Sequence, residues 1–426
     1  MASVWSQIGS DIDGEAASGQ FGYSVSLSAN GSVVAIGSPR SNSIIDDRNR
    51  VGHVLIYQNI NNTWRRIGNI PGESWNASSG QSISLSADGS IVLISSNSIY
   101  QNVNGTWISI GDFSDSNDSV SLSADGSVVA HVVGRDSVRI LQNISGAWTQ
   151  VGNDIDAEDY GFATSGKSVS LSDDGSVVAI GNWVDDGNGV NSGHAKIYQN
   201  INGSWTQVGA DIEGEAAYDY AGYSVSLSAD GSVVAIGAFG NDGSDSLGVY
   251  KYDRGHVRIF QNINGAWTQL GSEIEGEGPG DSSGYSVSLS DDGSIVAIGA
   301  TGNQGTGTDN GYIRIYQNVN GTWTQVGTKI EGEAAGDWSG YSVSLSSDGS
   351  TVAIGAPYSD AYRGYVRVYN TGVSSTVDKF VATISGTTSS DSLESTASND
   401  DIDGLGGTDT VIVSGKFSDY AFTHGT

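Results

Sequence analysis

The chain has 426 residues, carries 48 Asp and Glu against 18 Lys and Arg for a formal net charge of −30, and contains no cysteine. So acidic a surface makes nucleic acids and anionic membranes poor partners unless divalent cations intervene, and leaves cations as its natural company. The absent cysteine excludes disulfides, thiolate metal sites and cysteine nucleophiles, while 61 glycines against 4 prolines point to short strands and tight turns.

The N-terminus MASVWSQIGSDIDGE lacks the basic and apolar regions of a signal peptide, and no apolar run approaches the roughly 18 residues of a transmembrane helix. Its first predicted element is a strand at residues 3–9, containing Trp5. An acidic stretch, IDGE, follows and ends at Glu15. Then begins a unit that returns seven times, marked by Val25-Ser-Leu27, Ile83-Ser-Leu85, Val120-Ser-Leu122, Val169-Ser-Leu171, Val225-Ser-Leu227, Val287-Ser-Leu289 and Val343-Ser-Leu345. Repetition on this scale decides the architecture before any single residue does.

The clearest copy, GYSVSLSADGSVVAIGA at 222–238, reads as two strands. Tyr223, Val225 and Leu227 alternate with serines, Asp230-Gly231 signals a hairpin, and SVVAIGA is apolar on both faces and so expected to be buried on both. The second half, GHVRIFQNINGAWTQLG at 255–271, is another strand pair turned at Asn264-Gly265. Its tryptophan slot holds Trp5, Trp64, Trp107, Trp148, Trp205, Trp267 and Trp323. Four strands in each of seven units predict a β-propeller of antiparallel blades. The seventh unit ends at YVRVYN, 365–370, without a tryptophan strand, so residues 3–9 are expected to supply it and close the ring.

The pairs Phe21-Gly22 with Gly37-Ser-Pro39, and Gly340-Tyr341 with Gly355-Ala-Pro357, resemble the FG-GAP repeats of integrin α-subunit propellers and of many bacterial and algal surface proteins. The resemblance spans residues 1 to about 370. It implies a propeller at a cell surface or outside the cell. The integrin-type calcium loop has no counterpart, because SADGS or SDDGS stands in its place and is too short to encircle an ion.

In such a propeller both tight hairpins emerge on one face, and the longer connections emerge on the other. Second-to-third connections are long in blades one (SPRSNSIIDDRNRVG), four (GNWVDDGNGVNSG), five (GAFGNDGSDSLGVYKYDRG), six (GATGNQGTGTDNG) and seven (GAPYSDAYRG). They collapse in blades two (Ser96-Asn97) and three (Gly134-Arg135-Asp136), predicting a notch there. Variable loops on a rigid frame are where binding usually lives. Trp75, Trp183, Trp338, Tyr218, Tyr220, Tyr250, Tyr252, Tyr358 and Tyr362 lie in these loops and could stack on sugars or anchor a protein, or simply cover the blade beneath.

Calcium candidates are Asp185, Asp186 and Asn188 in the blade-four loop and Asp242, Asp245 and Asp253 in that of blade five, since alternating oxygen side chains around a glycine suit Ca2+. The blade junctions, IDGE or IEGE ending at Glu15, Glu215, Glu277 and Glu333 and followed by Asp219, Asp281 and Asp337, admit calcium or a plain backbone cap. His53, His194 and His256 share one repeat slot with Tyr312 and Tyr365, which favours packing over ligation. Asn-x-Ser/Thr at Asn104, Asn202 and Asn320 is explained by turn chemistry.

Residues 371–390 read as a polar linker with one strand, and a nine-residue period follows in 391–426, through Asp391, Asp400 and Asp409 and through Leu393, Ile402 and Val411. The last turn, DGLGGTDTV, resembles the RTX nonapeptide, with Leu405 where a glycine is expected. That resemblance implies a short β-roll with Ca2+ at Asp400 and Asp409, and export by a type I system that needs no N-terminal leader. No H-E-x-x-H pattern occurs, and no catalytic pair stands out from the repeat. The expected protein is thus a non-enzymatic, extracellular or cell-surface propeller that binds a protein or glycan, with Ca2+ as its one cofactor. A lectin, or a polysaccharide hydrolase or lyase, are the alternatives.

Overall fold

The computed structural model describes residues 5–41, 51–72, 78–95, 98–113, 119–134, 137–156, 167–242, 253–302 and 310–373, and four short strands between 383 and 412. The chain divides into two units, Met1–Ser375 and Thr376–Thr426. The first is a ring of seven antiparallel four-stranded blades.

Blade five shows how the sequence builds each sheet. Ser224–Leu227 lies nearest the axis, followed outward by Val233–Ala238, His256–Ile263 and Ala266–Gln269. The innermost strand buries alternate residues, whereas every residue of Val233–Ala238 is buried, as its two apolar faces require. Seven apolar clusters fill the spaces around the ring; one joins Val177 and Ile197 of blade four to Val225, Val234 and Ile236 of blade five.

Three cyclic bond sets hold the blades. The N–H of the triad leucine donates to a triad serine of the preceding blade, from Leu85 to Ser26 Oγ round to Leu27 and Ser344 Oγ, each at 3.0 Å. On the hairpin face, backbone bonds run through Ala29, Ala87, Ala124, Asp173, Ala229, Asp291 and Ser347 and back to Ala29 at 2.8–2.9 Å. At the rim each slot tryptophan donates its indole N–H to a carbonyl of the preceding blade, as Trp267 does to Val208 at 2.9 Å. A Cβ on Gly209 would stand 2.9 Å from that ring, so the tight approach needs glycine.

The ring closes as expected. Ser6–Gln7 pairs with Asn370 and Tyr369, and the indole of Trp5 reaches Thr328 O at 2.7 Å. Closure also extends further than residue 9, because Ile12–Asp13 pairs with Val366 and Tyr365, and Arg367 grips Asp11 through Nε and Nη2 at 3.0 and 2.8 Å. The same holds elsewhere: Ile155–Asp156, Ile212–Glu213 and Ile274–Glu275 are strand ends paired with the third strand beyond a bulge. The acidic stretches, expected to be connections throughout, therefore begin as sheet.

Thr371 still belongs to the propeller, since its N–H and hydroxyl bond Ser350 and Gly349 of blade seven. In the second unit Thr383–Ser385 pairs in parallel with Asp401–Asp403, and Ser392–Glu394 with Thr410–Ile412. Strands nine residues apart thus alternate between two sheets, the topology of a parallel roll. Asp391, Asp400 and Asp409 lie outside the described residues.

Candidate functional site

Opposite the hairpin ring, the tyrosine that opens the innermost strand stands near the axis in blades one, five, six and seven. Tyr223, Tyr285, Tyr341 and Tyr23 follow one another with ring centroids 4.8, 4.9 and 4.7 Å apart. Blades two and four carry Gln81 and Lys167 in that position, so the aromatic arc covers one side of the mouth.

Loop aromatics extend the arc at both ends. Phe239 meets Tyr223 at 4.5 Å and stacks on Tyr220 at 5.2 Å, and Tyr220 in turn meets Trp183 at 5.4 Å and Tyr218 at 6.4 Å. At the other end Trp338 and Tyr358 are 4.6 Å apart, Tyr358 meets Tyr341 at 5.6 Å, and Tyr362 follows Tyr358 at 5.5 Å. Inner rings are half-buried, whereas the terminal Tyr218 and Tyr362 are 54% and 51% exposed. Burial raises the phenols of Tyr223, Tyr285 and Tyr341, and hydrogen bonds link Tyr285 to both neighbours. They stay neutral at any physiological pH.

The structure therefore gathers Trp183, Tyr218, Tyr220, Trp338, Tyr358 and Tyr362 into one array, while Trp75, Tyr250 and Tyr252 lie outside the described residues. Sequence reasoning did not single out Tyr23, Tyr223, Tyr285 and Tyr341, although their absence from blades two, three and four was a readable signal. Backbone strain marks the same place. The turn entering the innermost strand of blades one, two, five, six and seven puts Gln20, Ser78, Tyr220, Ser282 and Trp338 at φ between 49° and 58°. Bulky residues rarely adopt this region, so Tyr220 and Trp338 cost stability there that glycine would not.

At the junctions the buried carboxylates are backbone caps. Asp219 Oδ2 accepts the N–H groups of Glu215 and Ala216 at 3.1 and 2.8 Å, and Asp337 Oδ2 those of Glu333 and Ala334 at 3.1 and 3.0 Å. The tyrosine of the shared slot joins them: Tyr312 donates to Asp281 at 2.7 Å and Tyr365 to Asp337 at 3.1 Å.

Histidine in that slot behaves differently. His53 bonds Ser41 Oγ through Nδ1 at 2.8 Å, and burial, only partly opposed by Glu15, lowers it to about 4. His256 is 1% exposed, has neither ring nitrogen hydrogen-bonded, faces Glu273 at 3.8 Å, and is pushed down to about 3 by burial and Arg258. His194 meets Asp185 at 3.2 Å, with Glu213 beside both. The three histidines thus lie in three separate blades.

Of the calcium candidates, Asp185 Oδ1 faces His194 Nδ1 at 3.2 Å and also accepts the Gly187 N–H of its own loop at 2.9 Å. Asp186 accepts the Asn191 N–H at 2.7 Å, and Asn188 donates to Gly214 O at 2.8 Å. Asp242 accepts the Asp253 N–H at 3.2 Å, and burial with the Asp242 charge raises Asp253. Asp245 lies outside the described residues. The chain matches no protein-family model and is not similar to any curated protein. Its likeness to FG-GAP and RTX repeats therefore rests on the residues alone.

Proposed function

We propose that this propeller is a non-enzymatic binding module, working at a cell surface or outside the cell, that takes its partner on the long-loop face across the aromatic mouth. One observation carries the reading: a connected run of rings from Tyr218 to Tyr362, half-buried along its length and open at both ends. Rigid aromatics supply contact area at low entropic cost, and neutral phenols offer hydrogen bonds without charge. The buried junction carboxylates Asp219, Asp281 and Asp337 are committed to backbone and phenol donors, which supports binding over hydrolysis or elimination.

A glycan is the partner these groups suit best, because rings presented beside hydroxyls match the apolar faces and hydroxyl edges of sugars. A glycan array followed by fluorescence titration of its hits tests this. Tyr218→Ala and Tyr362→Ala remove exposed rings and should each weaken binding about tenfold with an unchanged melt. Hits bound equally well by both variants sink the site. An array without hits moves the reading to a protein partner, tested by cell-adhesion assays of the same variants. Ca2+ enters through the second unit, whose nine-residue strand alternation is what an RTX-like roll needs, and type I export would accompany it. A melt of the full chain that Ca2+ leaves unmoved at millimolar concentration would remove calcium from this reading.

A further inference from the structure

Blade four carries a different cluster, and we propose that it binds a first-row divalent cation, Zn2+ foremost, through Asp185, His194 and Glu213. The proposal is independent of the aromatic mouth and of calcium. His194 opens the third strand and is 2% exposed, Glu213 is its partner across the outer strand, and Asp185, 7% exposed, arrives from the loop after the second strand. One donor atom from each lies within 4.8 Å of the others, and Asp185 Oδ1 stands 3.2 Å from His194 Nδ1. Two ligands of a tetrahedral cation at bonds of about 2.0–2.1 Å are about 3.4 Å apart, so that pair already has the required spacing. Glu213 brings a carboxylate oxygen within 4.8 Å of both.

An orphan atom points to the same occupant. Glu213 Oε2 is buried with no hydrogen-bond partner among the described residues. The nearby ammonium, on Lys196, sits 3.4 Å from Asp211. Above the pair the backbone closes at Gly187, where a Cβ would lie 2.4 Å from Glu213 Oε2 and 3.1 Å from Asp185 Oδ1. The result is a small acidic cradle closed over by the Gly187 backbone. Its imidazole selects the metal class, since Ca2+ takes oxygen ligands whereas nitrogen with carboxylate suits zinc and its neighbours.

The shared slot shows why this happens in blade four. In blades six and seven the residue is a tyrosine whose hydroxyl goes to Asp281 or Asp337. In blade five His256 has Glu215 and Glu273 nearby, but the Arg258 guanidinium lies 3.5 Å from Glu215 and already supplies the positive charge.

The test uses the full chain stripped with chelator and titrated separately with ZnCl2, CaCl2 and CoCl2, the last for its visible absorption. Zn2+ should bind at one tight site per chain and raise the melting temperature more than Ca2+ does. Co2+ should give the absorption of a low-coordinate site. His194→Gln and Glu213→Gln should each weaken Zn2+ by at least about tenfold and abolish the Co2+ band, while exposed Glu331→Gln leaves both unchanged. Should His194→Gln not fold, the near-isosteric Asp185→Asn and Glu213→Gln decide alone. The proposal is overturned if Zn2+ affinity is the same in those variants, if Ca2+ stabilises as strongly, or if no metal binds tightly and the orphan oxygen is met by water only.

Discussion

Replacing Ile12 by alanine measures how firmly the opening segment closes the ring. Ile12 is 5% exposed and packs with Phe21, Val366 and Val368 at the seam between blades seven and one. Truncating a buried isoleucine costs about 2–5 kcal/mol, and about 3 kcal/mol is expected at a seam held on both sides by ladder bonds. Ile212 is the internal control: it is 6% exposed, occupies the same place in blade four, and belongs to a strand with chain on both sides. If closure is firm, the two substitutions cost the same. Unfolding entropy near 2.1 cal/mol/K per residue over the first unit gives about 0.8 kcal/mol/K, so each should lower the melting temperature by about 4 °C. Scanning calorimetry reads the shift, and hydrogen exchange at the Val366 and Val368 amides reads it locally. A segment that peels away readily can lose no more than its own docking energy. Ile212→Ala at about −4 °C with Ile12→Ala within about 1 °C of wild type would therefore refute firm closure.

Two substitutions test charge in the scaffold. His256 is held near 3 by burial, so between its ordinary value of 6.5 and 3 the unfolded chain takes a proton that the folded one refuses, and stability falls as pH drops through that window. His256→Tyr removes this loss and puts a phenol where Tyr312 and Tyr365 cap their junctions. Its advantage should grow by about 2 kcal/mol from pH 7 to pH 5 in urea midpoints, and an unchanged pH slope would contradict the burial argument. Asp173 sits in the hairpin ring, where desolvation, then Asp291 and Asp174, raise it to about 6. A raised carboxyl stabilises the fold only while protonated, so its contribution is lost as pH rises from about 4 to about 6. Asp173→Ala, matching Ala29, Ala87, Ala124 and Ala229, should raise the melt at pH 7 but not at pH 4. The gain should stay below about 1 kcal/mol because the side chain reaches solvent, and an equal effect at both pH values would exclude the titration.

The scaffold was legible because its period is enforced by packing. Each blade can bury its faces only against its neighbours, so Val-Ser-Leu, the Asp-Gly turn and the slot tryptophan had to recur, and the spare strand at Trp5 had to match the gap after Asn370. The mouth was less legible. Tyr223 and its three counterparts look like ordinary alternate residues of a strand, and only the ring brings residues as far apart as Tyr23 and Tyr341 within 4.7 Å.

The blade-four cluster was hidden by register. Counted evenly from the hairpin pair Ile201 and Ser204, His194 would face Asp211. A two-residue bulge after Gln207 instead sets Glu213 opposite His194. The bulge sends Asp211 to Lys196 and Gln207, and brings to the imidazole the carboxylate whose outer oxygen has no donor. A strand pattern read as two separate features, a tryptophan strand and an acidic connection, could not reveal a site made where they join. The same bulge recurs in blades three and five, yet a buried histidine, an aspartate from the preceding loop and a glycine lid coincide in blade four. Chemistry on this frame thus arises where one blade departs from the repeat at several positions that a bulge brings together.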